Sequence, residues 1–309
     1  MEHFPLVSIV TPAYNQAEYL AETIESVLAQ DYPNIEYIVL DDGSTDSTPD
    51  LMLRFAENIQ GERHDNMGQA RTLNKGWARS TGKYIGYLSA DDLIYPNAVR
   101  KLVEMLEADD SIVCAFPDCD LIDNRSRVIR KNISKPFNLI NLIVQQECYI
   151  GPGAVFRRSA FEDVGGWKPE LKLAPDREFW IRLAKHGRLE MCNETLAGYR
   201  LHVQSISYKE VSEEVGREYL YVLDEYFRSG SVEPDIDLRK SEAYGYAHLL
   251  LARNCFRAGQ LTRGTQLYRE ACRLHPQLSN IKVKVRIARN ILSKPLRTAL
   301  SAARSLFFK

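Results

Sequence analysis

The chain has 309 residues, of which 45% are hydrophobic and 26% charged, and its formal net charge is -1. These are globular values, the length suits one large domain with an appendage or two domains, and the near-neutral balance excludes a general nucleic-acid binder. The opening Met-Glu-His-Phe-Pro leads into a strand without a signal-peptide pattern, and no apolar run reaches the roughly 18 residues of a membrane span. Six cysteines (114, 119, 148, 192, 255 and 272) include no C-x-x-C, so reduced thiols in a cytoplasmic protein are expected.

In chain order, Val7 to Thr11 reads as a short buried strand. Asn15 followed by Glu18 matches a capping box, opening a helix with Leu20, Ile24, Val27 and Leu28 on one face. Ile35 to Leu40 is a second strand. Thr48-Pro49 suits the first positions of a helix with Leu51, Met52, Phe55 and Ile59 inward. A third helix covers 68–79 with Ala70, Leu73 and Trp77 on its core face, and Lys83 to Leu88 is the next strand. Pro96 opens a helix with Val99, Leu102, Val103 and Leu106 at helical spacing, and Ile112 to Phe116 is a strand. The order β-α-β-α-α-β-α-β predicts an α/β fold, a mostly parallel sheet with helices on both faces. Residues 118–148 read as irregular. Then come a strand at Val155-Phe156, a short helix ended by Gly165-Gly166, a helix from Asp176 to His186 capped by Gly187, and an extended stretch from Leu189 to Leu201. From Ser212 the pattern is purely helical, so the expected domains are 1–209 and 210–309. Within the second, 247–276 resembles one tetratricopeptide unit, or is an ordinary helical hairpin; a single copy cannot bury its own face and must pack on neighbouring helices or on the first domain.

Two strands end in acids: Asp41-Asp42 follows Ile35 to Leu40, and Asp91-Asp92 follows Lys83 to Leu88. Open α/β sheets bind ligands at such edges, and paired carboxylates can hold a hard divalent cation that in turn holds a phosphate. Asp also caps helices and starts turns, so one pair alone is weak, but two at successive strand ends are not. Asp92 is expected to be an exposed loop acid. Arg71, at a helix start, can reach diphosphate oxygens or is a surface arginine. Asp176 begins a helix, whose dipole is expected to lower its pKa and keep it ionised.

Thr11-Pro-Ala-Tyr-Asn15, Asp41-Asp-Gly-Ser-Thr-Asp46, Asn66-x-Gly-x-Ala-Arg71-x-x-Asn74-x-Gly76, Ser89-Ala-Asp-Asp92, Gly165-Gly-Trp167, Pro175-Asp-Arg-Glu-Phe-Trp180 and Tyr199-Arg-x-His202 follow one another in order. In that order and spacing, residues 5–209 resemble a family 2 glycosyltransferase. The resemblance implies a GT-A, Rossmann-like fold, an inverting enzyme, a nucleotide-sugar donor, and Mg2+ or Mn2+ as cofactor. It places Asp42 on the uracil ring, with Asp41 beside it or acting as a turn cap, and Thr11, Ala13 and Tyr14 flanking base and ribose. It assigns Asp92 to the metal, Asp91 to the ribose or diphosphate, and Asp176 as general base. Two departures stand out: Ser89 replaces the first acid of the metal motif, and Pro175 replaces the acid that often precedes the base. His202 reaches the metal or diphosphate, or is structural, and Ser205 and Ser207 lie on a loop expected to close over the donor.

The leading expectation is therefore transfer of one sugar from a nucleotide-diphosphate sugar, a UDP-sugar foremost, to the hydroxyl of a glycan or lipid-linked acceptor in bacterial cell-surface polysaccharide or glycolipid assembly. A processive synthase is excluded by the missing Q-x-x-R-W and membrane helices, and a nucleotidyltransferase by Pro-Ala-Tyr-Asn where a glycine-rich phosphate loop belongs. The alternative from another class is a non-catalytic sugar-nucleotide-binding adaptor acting through its helices. Residues 281–309 carry Lys282, Lys284, Arg286, Arg289, Lys294, Arg297, Arg304 and Lys309 and no acid. They form either a basic amphipathic anchor on an anionic membrane, at the inner face of the plasma membrane, a surface for an acidic partner, or helices docked on the protein.

Overall fold

A computed structural model describes residues 4–202, 205, 211–288 and 291. They divide into two units, 1–138 with 148–208 and 139–147 with 209–309. The first opens with β1 (Val7–Ala13), α1 (Leu20–Leu28), β2 (Ile35–Asp42), α2 (Thr48–Arg54), β3 (Gln60–His64) and α3 (Gln69–Arg79). It continues through β4 (Tyr84–Tyr87), β5 (Leu93–Ile94), α4 (Ala98–Ala108), β6 (Ile112–Ile122) and β7 (Val128–Arg130). After α5 (Leu139–Ile143), which belongs to the second unit, come β8 (Val155–Arg157), α6 (Arg158–Val164), α7 (Pro175–Leu183) and β9 (Arg188–Arg200).

The strands form one sheet in the order β3-β2-β1-β4-β8-β6-β9-β5, with β7 paired to β6. The β3-β2-β1-β4 half is parallel, as is β6 with β9, whereas β8 runs antiparallel to both its neighbours. Val7, Val10, Ile38, Val39, Leu40 and Ile85 are buried, as strands covered on both faces require. Trp77 of α3 is fully buried and packs edge-on against Phe156, Phe161 and Trp167 and stacks on Phe179 of α7, with ring centroids 5.5–6.0 Å apart. This cluster fixes α3 and α7, whose N-termini carry candidate site residues. α3 lies close on β1 because residue 76 is glycine: a Cβ there would collide with the Val10 side chain.

Several expectations are corrected. The capping box does not form: α1 starts at Leu20, and Asn15 sits at φ 53° with its Oδ1 accepting from Thr45 N at 2.8 Å, tying β1 to the turn after β2. β3, β5 and β7 were not foreseen. β3 is a polar, largely exposed edge strand without apolar alternation, and the other two are short. The 118–148 stretch is not wholly irregular, since β6 runs on to Ile122. α7 ends at Leu183 with Ala184 as C-cap rather than Gly187.

The second unit comprises α5, α8 (Glu213–Gly216), α9 (Glu218–Arg228), α10 (Pro234–Asp237), α11 (Lys240–Arg257), α12 (Leu261–Leu274) and a helical segment at 281–288. The hairpin of α11 and α12 turns at Gly259, φ 78°, and buries Leu251, Cys255, Phe256, Leu267 and Ala271 with Leu278 and Ile287. α8 and α9 pack on α11, supplying the neighbours a lone repeat requires. Among the described residues, no helix is long and apolar enough to cross a membrane.

Candidate active site

Because β1, β2 and β4 are parallel, with Ala13 opposite Asp41 and Val10 opposite Tyr87, their C-terminal ends reach one sheet edge. The chain winds outward from β1 to β3 and then returns to place β4 on the other side of β1. Such a switch point opens a crevice at the carboxyl ends of the strands, where α/β sheets take ligands.

Asp41 is fully buried; its Oδ1 accepts from Ser44 N at 3.0 Å, while its Oδ2 lies 3.2 Å from Arg63 Nε without accepting a hydrogen bond. Asp42 points the other way. Its Oδ1 accepts from Met67 N at 2.6 Å and its Oδ2 from Gly68 N at 2.9 Å, so it fastens the turn that starts α3. Gly68 takes φ 89°, a left-handed conformation that favours glycine. Arg71 is exposed in the first turn of α3. The Thr11 hydroxyl is engaged inside the core with Tyr37 Oη at 3.0 Å, and Ala13 is buried, so β1 offers the crevice backbone rather than side chains. Tyr14 is 48% exposed and its ring is free of the core.

Asp92 is not the exposed loop acid that was expected. Asp92 is 4% exposed, its Oδ1 accepts from Arg200 N at 2.8 Å, and Thr23 Oγ1 lies 2.9 Å from its carbonyl. Burial and then the neighbouring Asp91 push the Asp92 carboxyl well above its ordinary range, against the Arg200 N–H and charge. Asp91 turns to His202, whose Nε2 lies 2.8 Å from Asp91 Oδ2 while its buried Nδ1 has no partner. Ser205 is buried, and its Oγ accepts from His202 N at 3.2 Å; Ser207 lies outside the described residues.

Asp176 is the second residue of α7. Its pKa is raised, not lowered: burial outweighs Arg177 and the backbone N–H groups that favour its charge. Asp176 and Asp92 share a neighbour in Tyr87. Burial pushes that phenol far up, and Asp176 and then Asp92 add to the push. The pair of Asp91 and Asp92 with His202 is oxygen- and imidazole-rich, carries charge that burial leaves poorly answered, and includes an orphaned ring nitrogen. In donor type alone, carboxylate oxygen and imidazole nitrogen suit a divalent cation. Among the described residues, no group of three or more His, Cys, Asp or Glu side chains is arranged to hold a metal.

A mixed α/β sheet with acids at its switch-point edge is the architecture of GT-A glycosyltransferases. Residues 8–165, just over half of the chain, match the Glycosyl transferase family 2 profile, and the chain belongs to that family. An uncharacterized glycosyltransferase of Rickettsia typhi is 31% identical over 210 residues, an alignment covering 64% of each chain, so this chain spans under two thirds of that relative. The putative teichuronic acid biosynthesis glycosyltransferase TuaG of Bacillus subtilis is 32% identical over 66% of this chain and 82% of its own. Among solved structures, S. aureus TarS 1-349 in complex with UDP-GlcNAc superimposes with a TM-score of 0.60 at 17% identity, over 88% of this chain and 92% of that one. The Pyrobaculum calidifontis mannosyltransferase PcManGT in complex with GDP-Man and Mn2+ does so at 0.59 and 21% identity, over 97% and 84%. At these identities the likeness is one of fold.

Proposed function

We propose that the protein is an inverting glycosyltransferase that moves a single sugar from a UDP-sugar to an acceptor hydroxyl in bacterial cell-surface polysaccharide or glycolipid assembly. The observation carrying this reading is that β1, β2 and β4 run parallel and end at one sheet edge, with Asp41-Asp42 closing β2 and Asp91-Asp92 following β4. Nucleotide recognition falls to Tyr14, the backbone of Thr11 and Ala13, Asp41, Asp42, Arg71 and Asp91. Both Asp42 oxygens already accept from backbone, and Asp41 Oδ2 accepts no hydrogen bond but is paired with Arg63 at 3.2 Å, so a base N–H would take the place of one of these partners.

Asp92 and His202 would hold Mg2+ or Mn2+, which would offset charge on the diphosphate leaving group. A site with few protein ligands suits a cation whose coordination is completed by substrate phosphates. Asp176 takes the proton of the acceptor hydroxyl as that oxygen attacks the anomeric carbon from the face opposite the leaving group. The donor class is supported by a structural neighbour bound to UDP-GlcNAc, and the surface-polymer setting by the name of TuaG.

The test is a panel of UDP- and GDP-sugars with and without Mn2+, following binding and nucleoside diphosphate release, with product anomeric configuration read by NMR. Metal-dependent release from a UDP-sugar is expected. Binding without release at any metal concentration supports the adaptor reading instead, and no binding of any nucleotide-sugar sinks both.

A further inference from the structure

Arg200 closes β9 with 1% of its surface exposed, so its charge must be answered inside the protein. Every arm of the guanidinium is used. Nε donates to the Asp91 carbonyl at 2.6 Å, Nη1 to Ser126 Oγ at 2.9 Å and the Asp123 carbonyl at 3.3 Å, and Nη2 to Glu22 Oε2 at 2.7 Å. The cation also lies 4.9 Å over the Tyr19 ring. The Arg200 main-chain N–H reaches Asp92 Oδ1, so this one residue holds the Asp92 carboxylate by its backbone and the Asp91 main chain by its side chain.

The surrounding contacts close on the same point. Ser126 Oγ donates to Glu22 Oε1 at 2.5 Å, joining α1 to the β6–β7 turn behind the guanidinium. Tyr19, covered by Arg200, packs its ring 4.6 Å from that of His202, which in turn meets Asp91. A lysine could not replace this arrangement: a planar fork serves acceptors on separate elements in fixed directions, whereas an ammonium is a point charge on a flexible stem.

We propose that Arg200 is a positioning residue for the cation-binding acids, holding the Asp92 carboxylate and the Asp91–His202 pair in the arrangement a divalent cation requires. The inference rests on the metal reading given under Proposed function. Groups behind metal ligands fix the ligands' direction, and their loss typically weakens metal affinity roughly 10–100-fold.

The test uses the full chain as Arg200→Lys, with Glu22→Gln and Ser126→Ala each removing one guanidinium partner. Mn2+ affinity is measured in saturating UDP from the EPR signal of free Mn2+, and the Mn2+ dependence of turnover is measured alongside. Folding is checked by circular dichroism. A folded Arg200→Lys protein is expected to bind Mn2+ roughly 10–100-fold more weakly. Its apparent KM for Mn2+ should rise in step, with kcat recovering at high metal. A merely structural role would lower the melting temperature and leave the metal affinity of the folded fraction unchanged, and that result overturns the proposal. If Arg200→Lys does not fold, the other two variants decide: weaker Mn2+ binding in either supports it, and unchanged binding in both overturns it. Failure of the unaltered protein to bind Mn2+ with UDP removes the metal reading, and this proposal with it.

Discussion

A carboxylate withdrawn from water beside a second carboxylate carries unrelieved repulsion, and Asp92 stands in that position. Its folded pKa is raised, so the folded state holds the proton more tightly than the unfolded chain. The stabilisation this linkage represents is complete below the unfolded value of about 3.9 and is lost as pH rises through the folded value. Asp92→Asn removes the charge. The variant is expected to melt no lower than the parent at neutral pH, with the difference narrowing on acidification, while turnover falls about 10²–10³-fold, the scale of losing a charge-stabilising group. A clearly lower melting temperature at neutral pH would instead mean that the Asp92–Arg200 contact is net stabilising. Asp176 gives a second pH signature. A base must be unprotonated, and burial raises this one, so transfer should fall on the acid side at a higher pH than a solvent-exposed aspartate would give. Asp176→Asn should lose about 10²–10⁴ in transfer rate with donor affinity unchanged, and a parallel loss of both would make it a donor contact. The acid doublets stood out in the sequence because they recur at successive strand ends, although a single doublet also suits a cap or turn. Arg200 was visible only as the second residue of Tyr199-Arg-x-His202, with no role attached, because its partners Glu22, Asp91 and Ser126 are remote in sequence, as is Tyr37, on which the orientation of Thr11 into the core depends.

Among elements, α3 and α7 carry Arg71 and Asp176 at their starts and share one turn. Asn74 Nδ2 donates to the Trp167 carbonyl at 2.7 Å, and Trp167 N donates back to Asn74 Oδ1 at 2.8 Å. From α7, Arg182 Nη1 donates to the Val164 carbonyl and Nη2 to the Gly166 carbonyl at 2.8 Å, with Glu178 answering its charge. The Gly165–Trp167 turn thus couples the helix on the donor side to the helix bearing the proposed base. Gly166 is required there, since a Cβ would strike the Asn74 amide. Asn74→Ala strips two bonds from a part-buried turn and should destabilise the protein by roughly 1–3 kcal/mol. Calorimetry reads that change, and kinetics should show a drop in kcat larger than any loss of nucleotide affinity. Unchanged values for both would show that Arg182 alone holds the turn. α3 and α4 were legible because their apolar residues recur at helical spacing and all face the core. The start of α1 was misread because Asn15 and Glu18 imitate a local cap, whereas the Asn15 side chain is committed to a loop some 30 residues on, which no local pattern reveals.

At the scale of the whole chain, the α/β pattern and its change to pure helix were visible as shifts in periodicity, but the sheet order was not, because the antiparallel placement of β8 between β4 and β6 is a long-range pairing. The helical segment 281–288 bears on the basic C-terminal region, most of which lies outside the described residues. One side of this segment is committed: Ile287 is buried in the helical unit's core, with Val283 packed beside it. The other is not, for Ile281 is 72% and Val285 47% exposed, one helical turn apart. Lys282, Lys284 and Arg286 are exposed around them, and 281–288 contains no acid. An apolar pair ringed by cations suits the interface of an anionic bilayer, where each basic residue contributes about 1 kcal/mol. Sedimentation of the full chain with phosphatidylglycerol-containing vesicles is expected to carry the protein into the pellet, and neutral vesicles should carry much less. Truncation is a poor control, because Leu278 and Ile287 belong to the core. The exposed double change Ile281→Glu with Val285→Glu spares those contacts and should return the protein to the supernatant with its melting temperature preserved. Equal recovery of parent and variant with anionic vesicles would assign this face to something other than a membrane.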